Sequence, residues 1–274
     1  MSEFVRPSRT LIHAGAQAIR DFDLIREGDR ILVGLSGGKD SLSLLHVLAY
    51  FQRRAPVRFE LAAANIDPQM PGYDPAPLRD YVTGLGLPFF QQSFSLIRQA
   101  KQSFSGRTLC SFCSRMRRGL LYRICRDEGY GVLALAHHLD DAAETWLMNS
   151  FFGGKLRAMP AAYTNDDGDL RVIRPLIYAR ERQAAGFAET AALPVIADNC
   201  PTCDSTTRQR VQMKHLLRDL EAGNPNLFAS LKTALAPLLA DPAAVQEPAA
   251  ARAAEQPLLD LRRALPGSGA GLPH

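Results

Sequence analysis

Two groups of residues in this sequence have types and spacings that could do chemistry. The first is the segment SGGKDS, from Ser36 to Ser41, which follows the apolar run RILVGL and precedes an apolar helical pattern. A strand that ends in glycines and leads into a helix offers free backbone N–H groups and a helix dipole to an anion. The sequence therefore predicts a phosphate site at this junction, with a glycine-rich tight turn as the structural alternative.

The side chains of this segment add to the predicted phosphate site. Its two glycines let the backbone wrap around an anion, and its two serines can donate hydroxyl hydrogen bonds. Lys39 can supply a positive charge, and Asp40 could bind Mg²⁺. The spacing differs from the GxxxxGK[ST] pattern of a Walker A loop. The predicted phosphate-binding residues of the segment are Ser36, Gly37, Gly38, Lys39, Asp40 and Ser41.

The second group consists of cysteines. Four of the five form CxxC pairs, Cys110 with Cys113 and Cys200 with Cys203, whereas Cys125 stands alone in a helical pattern and is expected to be a buried structural thiol. The odd number and the absence of a secretion signal argue against a disulfide scaffold. Paired thiols at this spacing indicate zinc, an iron–sulfur cluster or a redox switch.

A run of one charge sign follows the first cysteine pair. Between Arg107 and Arg126 the sequence has six arginines and no acidic residue. A helix face with only positive charge favours contact with nucleic-acid phosphates, and a solvated surface is the alternative. The arginines predicted to touch RNA are Arg115, Arg117 and Arg118.

Composition sets the class of protein. The 274 residues are 46% hydrophobic and 22% charged, which excludes a collagen, a coiled coil or a fully disordered chain. The net charge of +4 mildly favours a polyanionic partner. No apolar run approaches the roughly 18 residues that span a bilayer, so we expect a cytoplasmic protein without membrane contact.

Alternating strands and helices must position these groups. Buried strands are predicted at 30–35, 59–67, 87–93 and 131–138, each separated from the next by enough chain for a helix, and a shorter strand at 169–176. This order predicts an α/β fold, a parallel twisted sheet with helices on both faces. The Pro-rich segment 68–80 is expected to be a surface loop.

Four segments are expected along the chain. An N-terminal helical segment covers 1–27, and the domain with the phosphate segment and a CxxC insert covers 28–222. A C-terminal helix covers 223–240. The Ala- and Pro-rich tail at 241–274 is expected to be disordered.

The SGGKDS segment resembles the SGGxDS signature of the PP-loop ATP pyrophosphatases. AHHLDDAAET resembles that family's GHxxDD motif, with Ala136 in place of glycine. The resemblance implies an adenine nucleotide alpha hydrolase-like fold and cleavage of ATP between its α and β phosphates. The alternatives are a polar residue closing a strand for Asp67 and helix capping for the aspartates. The resemblance assigns ATP contacts to all six residues of the SGGKDS segment and to Asp67, His137 and Asp141. It assigns catalysis to Lys39, Asp40 and Asp141.

The order of motifs resembles the tRNA 2-thiocytidine synthetases over residues 15–222. This resemblance implies that ATP adenylates the C2 oxygen of cytidine 32 of tRNA, and that sulfur delivered through a [4Fe–4S] cluster replaces this oxygen. It implies three cysteine ligands, Cys110, Cys113 and one of Cys200 and Cys203; NCPTCDSTTRQR departs from the family pattern there. The implied partners are tRNA and a sulfur donor such as a cysteine desulfurase, and a homodimer is allowed for. Lys155, Arg157 and Arg174 are expected to contact phosphates of ATP or tRNA, with a surface or structural ion pair as the alternative for each.

Three other functions remain open at this point. A related enzyme could thiolate a different tRNA base, and a PP-loop ligase could join an amine to an activated base. A zinc-stabilised RNA-binding protein without sulfur transfer could also carry these cysteines. The metal that the protein binds distinguishes the last of these from the others.

Overall fold

A computed structural model describes residues 4–70, 72–95, 109–196 and 203–240. The tail at 241–274, predicted to be disordered, lies outside the described residues. The division of the chain into four segments stays a prediction.

A six-stranded sheet forms the centre of the molecule. Its order is β3-β2-β1-β4-β6-β5, in which every neighbouring pair is parallel except β5 with β6. The strands are β1 (Arg30–Gly34), β2 (Glu60–Asp67), β3 (Phe89–Ser93), β4 (Val132–Ala134), β5 (Ala162–Thr164) and β6 (Arg171–Ile173).

Helices connect the strands and follow them. The described helices are α1 (Arg9–Asp21), α2 (Lys39–Arg54), α3 (Ala76–Gly84), α4 (Leu109–Glu128), α5 (Leu139–Gly153), α6 (Glu181–Thr190), α7 (Cys203–Gly223) and α8 (Leu227–Ala240). The α/β fold predicted from the sequence is confirmed.

Hydrophobic cores lie on both faces of the sheet. Successive residues of β1 alternate between them: Ile31 and Val33 pack with α1, α2 and α6, whereas Leu32 packs with Leu121 and Ile124 of α4. This alternation follows from the two-residue repeat of a strand and explains why the buried residues of β1, Ile31 to Val33, are all apolar.

The structure corrects three local predictions. β4 ends at Ala134, short of the predicted end at 138, because His138 already caps α5. β5 was not predicted; it pairs antiparallel with β6, which is shorter than the predicted strand. The segment 68–80 is only partly loop, because α3 begins within it at Ala76, one residue after a proline at the helix cap.

The carboxyl ends of β1, β2 and β4 lie side by side, because these strands are parallel neighbours. The phosphate segment, Asp67 and the histidine–aspartate motif follow these ends directly. Open α/β sheets bind ligands at this edge. Within the described ranges no helix combines the length and apolar character that crossing a membrane requires.

Candidate functional site

The phosphate loop is the turn from β1 to α2, residues 36–41. Its shape is held by the Ser41 hydroxyl, which donates to the Gly38 carbonyl (2.9 Å) and accepts from the Ser36 backbone N–H (3.2 Å). Gly38 caps α2 without a side-chain hydrogen bond. The helix therefore begins with backbone N–H groups that a phosphate could accept from.

Glycine is required at position 37. Gly37 has φ +88°, and a Cβ there would stand 3.2 Å from the Ile196 Cβ and 3.3 Å from the Leu78 Cδ1. Its carbonyl also accepts from the Ile196 N–H at 2.9 Å. The loop is therefore packed as well as tightly turned.

A buried amide on β2 forms hydrogen bonds that hold the phosphate loop in place. Asn65 is fully buried, and its Nδ2 donates to the Leu35 carbonyl (2.7 Å) and to the Tyr73 hydroxyl (2.6 Å). That hydroxyl donates to the Ser36 carbonyl at 3.3 Å. Sequence reasoning did not include Asn65 or Tyr73, although a lone amide in the apolar run LAAANI is a recognisable signal.

Lys39 carries the charge of the phosphate loop. Its Nζ donates to Asp40 Oδ2 and to Glu181 Oε1, both at 3.0 Å. Burial lowers the pKa of Lys39, but the two carboxylates outweigh burial and raise it. Asp40 Oδ1 is buried and has no hydrogen-bond partner among the described residues. One carboxylate oxygen beside the loop is thus available to a ligand.

The histidine–aspartate motif forms the first turn of α5. His138 and Asp141 make a capping box, in which the Asp141 N–H donates to His138 Nδ1 and the His138 N–H donates to Asp141 Oδ2. Asp141 Oδ1 also accepts from Arg210 at 3.1 Å. Asp140 accepts from Arg180 and from the Glu181 N–H at 2.8 Å. Asp141 therefore caps α5, whereas Asp140 binds the start of α6, and the role of Asp141 toward ATP stays a prediction.

His137 and Arg174 meet at the ends of β4 and β6. Arg174 Nε donates to His137 Nδ1 at 3.1 Å, and its NH1 donates to the Pro160 carbonyl at 2.6 Å. Burial and the charge of Arg174 lower the pKa of His137, so the imidazole is neutral. Arg174 is only 4% exposed, and burial lowers its pKa to about 10. Its described contacts are within the protein, and contact with ATP or tRNA stays a prediction.

Asp67 closes β2 at the same edge of the sheet. Its Oδ1 accepts from the Gln69 N–H at 2.7 Å, and the Ser93 hydroxyl lies 3.5 Å from its Oδ2. Asp67 therefore stabilises the turn that follows its strand. Its predicted role in nucleotide binding is not tested by these contacts.

A charged groove of about 400 Å³ opens beside Lys39. Glu144 on its wall is 4% exposed, and burial raises its pKa to about 7 despite Arg210 at 3.7 Å. The groove is lined by Lys39, Asp140, Glu144, Arg180, Glu181, Arg182, Ala185, Lys214, His215, Leu217, Arg218, Glu221 and Phe228. Most of these residues belong to α6 and α7, whose sequences contain no motif that pointed to the site.

Three of the four paired cysteines lie on two helices that contact each other. α4 carries Cys110 and Cys113, and α7 begins at Cys203. Cys113 is half-buried, whereas the side chains of Cys110 and Cys203 and the whole of Cys200 lie outside what is described. Among the described side chains, no three His, Cys, Asp or Glu are grouped as metal ligands. The four-cysteine prediction is therefore untested.

Cys125 has a different environment from the paired cysteines. It is fully buried in the core beneath α4, and burial raises the pKa of its thiol to about 12. A thiol that stays protonated is a poor nucleophile and metal ligand. Its placement agrees with the expected structural role.

The basic residues face solvent or the sheet edge. Arg115 is exposed, while Arg117 and Arg118 are half-buried. The charge of Arg118 contributes to the lowered pKa values of His137 and Arg174, so it stands near them. Lys155 and Arg157 are exposed on the loop after α5, next to three exposed apolar residues, Phe151, Phe152 and Leu156.

Comparison with known proteins matches most of this chain. A family described as PP-loop domain covers residues 10–218. A tRNA-cytidine(32) 2-sulfurtransferase of Pelobacter propionicus is 46% identical over 230 residues, 83% of this chain and 85% of the relative. The corresponding protein of Geobacter sulfurreducens is 43% identical over 226 residues, 81% of this chain and 87% of its own.

A solved structure has the same fold. It is the U34-tRNA thiolase NcsA from Methanococcus maripaludis with its [4Fe–4S] cluster. The match has a TM-score of 0.68 at 23% identity and covers 83% of this chain and 78% of the other. At this identity the match bears on the fold alone.

Proposed function

This chain belongs to the PP-loop family of the tRNA-cytidine(32) 2-sulfurtransferases, and from that premise we propose that it converts cytidine 32 of tRNA to 2-thiocytidine. It is an ATP-binding enzyme that thiolates tRNA. The finer statements, which concern the base, the sulfur and the residues, are our proposal. The observation that carries it is the phosphate loop, with Lys39 turned to a charged groove and one Asp40 oxygen left without a partner among the described residues.

The first step activates the base. The C2 oxygen of cytidine attacks the α-phosphorus of ATP, and pyrophosphate leaves when the bond between the α and β phosphates breaks. The loop N–H groups at the start of α2 and Lys39 stabilise the charge that develops on pyrophosphate, while the two serine hydroxyls hold the loop in shape. This arrangement needs no large movement, because Ser41 and Gly37 already fix the loop.

Asp40 would hold Mg²⁺ in this step. A buried carboxylate oxygen without a partner is costly, and oxygen ligands are what Mg²⁺ prefers. A bound Mg²⁺ supplies neutralisation of phosphate charge. Asp67 and Asp141 stand at the same edge of the sheet, where they would orient ATP.

The second step replaces oxygen by sulfur. A hydrosulfide ion, formed when a thiol reduces the persulfide of the sulfur donor, attacks C2; AMP leaves with the former C2 oxygen, and loss of a proton gives the 2-thio base. Cys110, Cys113 and one of Cys200 and Cys203 would hold a [4Fe–4S] cluster, whose remaining iron supplies an open position for sulfur. The contact between α4 and α7, which carry three of these cysteines, supports this ligand set.

The tRNA would approach across the basic surface beside this edge. Phosphates of the RNA would contact Arg115, Arg117, Arg118, Lys155 and Arg157. A base is reachable when its loop is single-stranded, as at the start of the anticodon loop.

A cysteine desulfurase would supply the sulfur, and two chains would form a homodimer.

Nucleoside mass spectrometry tests the reaction. We expect tRNA from a strain lacking this gene to lose 2-thiocytidine, and the wild-type gene to restore it. The Asp40→Asn variant should restore less than about a tenth as much, whereas Asp80→Asn, on an exposed turn of α3, should restore it fully. Loss of a thiolated uridine instead would contradict the proposed base.

Metal analysis of anaerobically purified protein tests the cysteine site. We expect iron and inorganic sulfide, both lost on Cys113→Ala substitution. Cys125→Ala is the matched control and should retain both, because Cys125 is buried away from the site. Colourless protein with stoichiometric zinc would overturn the cluster and favour the RNA-binding alternative.

A further inference from the structure

The ammonium group of Lys39 is bound between two carboxylates from distant parts of the chain. Nζ lies 3.0 Å from Asp40 Oδ2, in the next residue, and 3.0 Å from Glu181 Oε1, at the start of α6. We propose that Glu181 is a positioning residue that fixes where the Lys39 ammonium stands relative to the phosphate loop. The inference rests on the proposed function in one respect, that Lys39 acts on the pyrophosphate of ATP.

Glu181 is itself held firmly. Its backbone N–H donates to Asp140 Oδ2 at 2.8 Å, and its second carboxylate oxygen lies 2.5 Å from Lys214 Nζ on α7. Arg180, the preceding residue, binds Asp140 and Glu221 and stacks on Phe228. The carboxylate therefore has a fixed base and a fixed second partner, so its Oε1 offers Lys39 a defined position.

Lys39 needs such an anchor. A lysine stem has four flexible carbons, and the neighbouring Asp40 carboxylate alone would attract the ammonium to itself. With Glu181 in place, two of the three ammonium hydrogens are committed to carboxylates, and the third can be donated to a phosphate oxygen.

Lys214 decides the electrostatic sign of this arrangement. A lone carboxylate near the phosphate loop would repel an anion, but Lys214 offsets the charge of Glu181. Burial raises the pKa of Glu181, yet hydrogen bonds from Lys214 and Lys39 lower it to about 2, so it stays ionised. If Glu181 only added negative charge, removing that charge would strengthen pyrophosphate binding. If Glu181 positions Lys39, removing the charge weakens pyrophosphate binding.

The test measures pyrophosphate binding in magnesium-containing buffer by titration calorimetry of the full chain. We expect Glu181→Gln to weaken binding about fivefold to tenfold, within the usual range for coupled neighbours. In the Lys39→Met background the same change should cause no further weakening, because there is no ammonium left to position. Glu189→Gln, an exposed residue of the same helix, is the matched control and should bind like wild type.

Several results would overturn the inference. These are unchanged or tighter binding by Glu181→Gln, equal weakening with and without Lys39, and wild-type protein that does not bind pyrophosphate. Thermal unfolding of each variant detects a loss of folding, and Glu181→Asp should restore part of the affinity if the charge at this place matters. Wild-type protein that shows the coupling but forms no thiolated nucleoside would refute the proposed reaction and leave the role of Glu181 intact.

Discussion

Among single residues, Asp40 and Glu144 each place part of a carboxyl group in a buried environment that solvates it less well than water does. Asp40 keeps one buried oxygen without a partner among the described residues, and Glu144 is a buried carboxyl in contact with a charged groove. Both situations destabilise a folded protein unless a ligand or proton compensates. These two carboxyl groups of the candidate site therefore lower the stability of the folded protein.

Replacing Glu144 by glutamine should stabilise the protein at alkaline pH. Burial raises the pKa of Glu144 from 4.5 to about 7, so between these values the unfolded chain ionises it while the folded chain keeps the proton. Its contribution to stability is thus most favourable below pH 4.5, falls as the pH rises through about 7, and is constant above that.

We expect Glu144→Gln to unfold at a higher temperature than wild type at pH 8, by about 2–4 °C for each kcal/mol gained. The difference should shrink toward zero at pH 5. Thermal unfolding followed by circular dichroism checks this, with exposed Glu189→Gln as the control. An advantage of the same size at both pH values would show that the charge of Glu144 is not responsible.

Local motifs could be predicted at this scale, and long-range partners could not. The six residues of the phosphate loop are consecutive and form a recognisable motif, so the turn could be placed from the sequence. Glu181 lies 142 positions from Lys39 and has no motif around it, so only the folded chain brings the two together. Asn65 and Arg210 reach the site in the same way, from β2 and α7.

At the scale of elements, the junction of β1 and α2 depends on one backbone conformation. Gly37→Ala should destabilise the protein by about 1–2 kcal/mol, because a Cβ is strained at positive φ. It would also stand 3.2 Å from the Ile196 side chain, so pyrophosphate binding should weaken with it. Urea unfolding and pyrophosphate titration measure the two effects.

Gly186→Ala provides the contrast. Gly186 lies inside α6, and a Cβ there would meet nothing within 4 Å. We expect this change to stabilise the protein by about 0.5–1 kcal/mol, since alanine is the better helix former. Similar losses of stability in the two variants would argue against a special conformation at Gly37.

The loop after α5 should contribute to RNA binding. Replacing Lys155 and Arg157 by alanine should weaken tRNA binding and reduce its salt dependence, by a slope of about 0.7–0.9 for each RNA phosphate that the protein no longer neutralises. Filter binding over a range of salt concentrations measures this. Arg58→Ala is the matched control, because Arg58 is 92% exposed and precedes β2, at the opposite end of that strand from Asp67. An unchanged slope in the double variant would place the RNA elsewhere.

Elements were predictable where their pattern was uniform. The interiors of β1 and β2 are buried on both faces and are apolar apart from Asn65. The strand at 169–176 was predicted, although β6 has only three residues, whereas β5 was not predicted because its three residues are too few for a visible alternation. The antiparallel pairing of β5 and β6 depends on a turn around Gly168. α3 was obscured by prolines, which in fact mark where it begins.

At the scale of the whole molecule, Arg180 joins elements that are distant in sequence. Its guanidinium binds Asp140 of α5 and Glu221 of α7, and it lies 3.1 Å from the centre of the Phe228 ring in α8. The side chain is only 13% exposed. Removal would leave two carboxylates without their main counter-ion.

We therefore expect Arg180→Met to destabilise the protein by about 3–5 kcal/mol, the usual result of breaking a buried pair. Arg182→Met is the control: Arg182 also reaches Glu221, but it is 71% exposed and should matter by less than about 1 kcal/mol. Urea unfolding compares them. Equal effects would mean that burial of Arg180 is unimportant.

One face of α7 follows the nucleotide site for three turns. Arg210 pairs with Asp141, Lys214 with Glu181, and Glu221 with Arg180, while the same helix begins at Cys203. On the proposed function, this helix would connect the ATP site with the ligand of the cysteines. Whatever factor ATP then adds to the affinity of the cysteines for their ligand, that ligand must add to the affinity for ATP. An ATP affinity measured without the cysteine ligand would in that case describe a different thermodynamic state from the one that turns over.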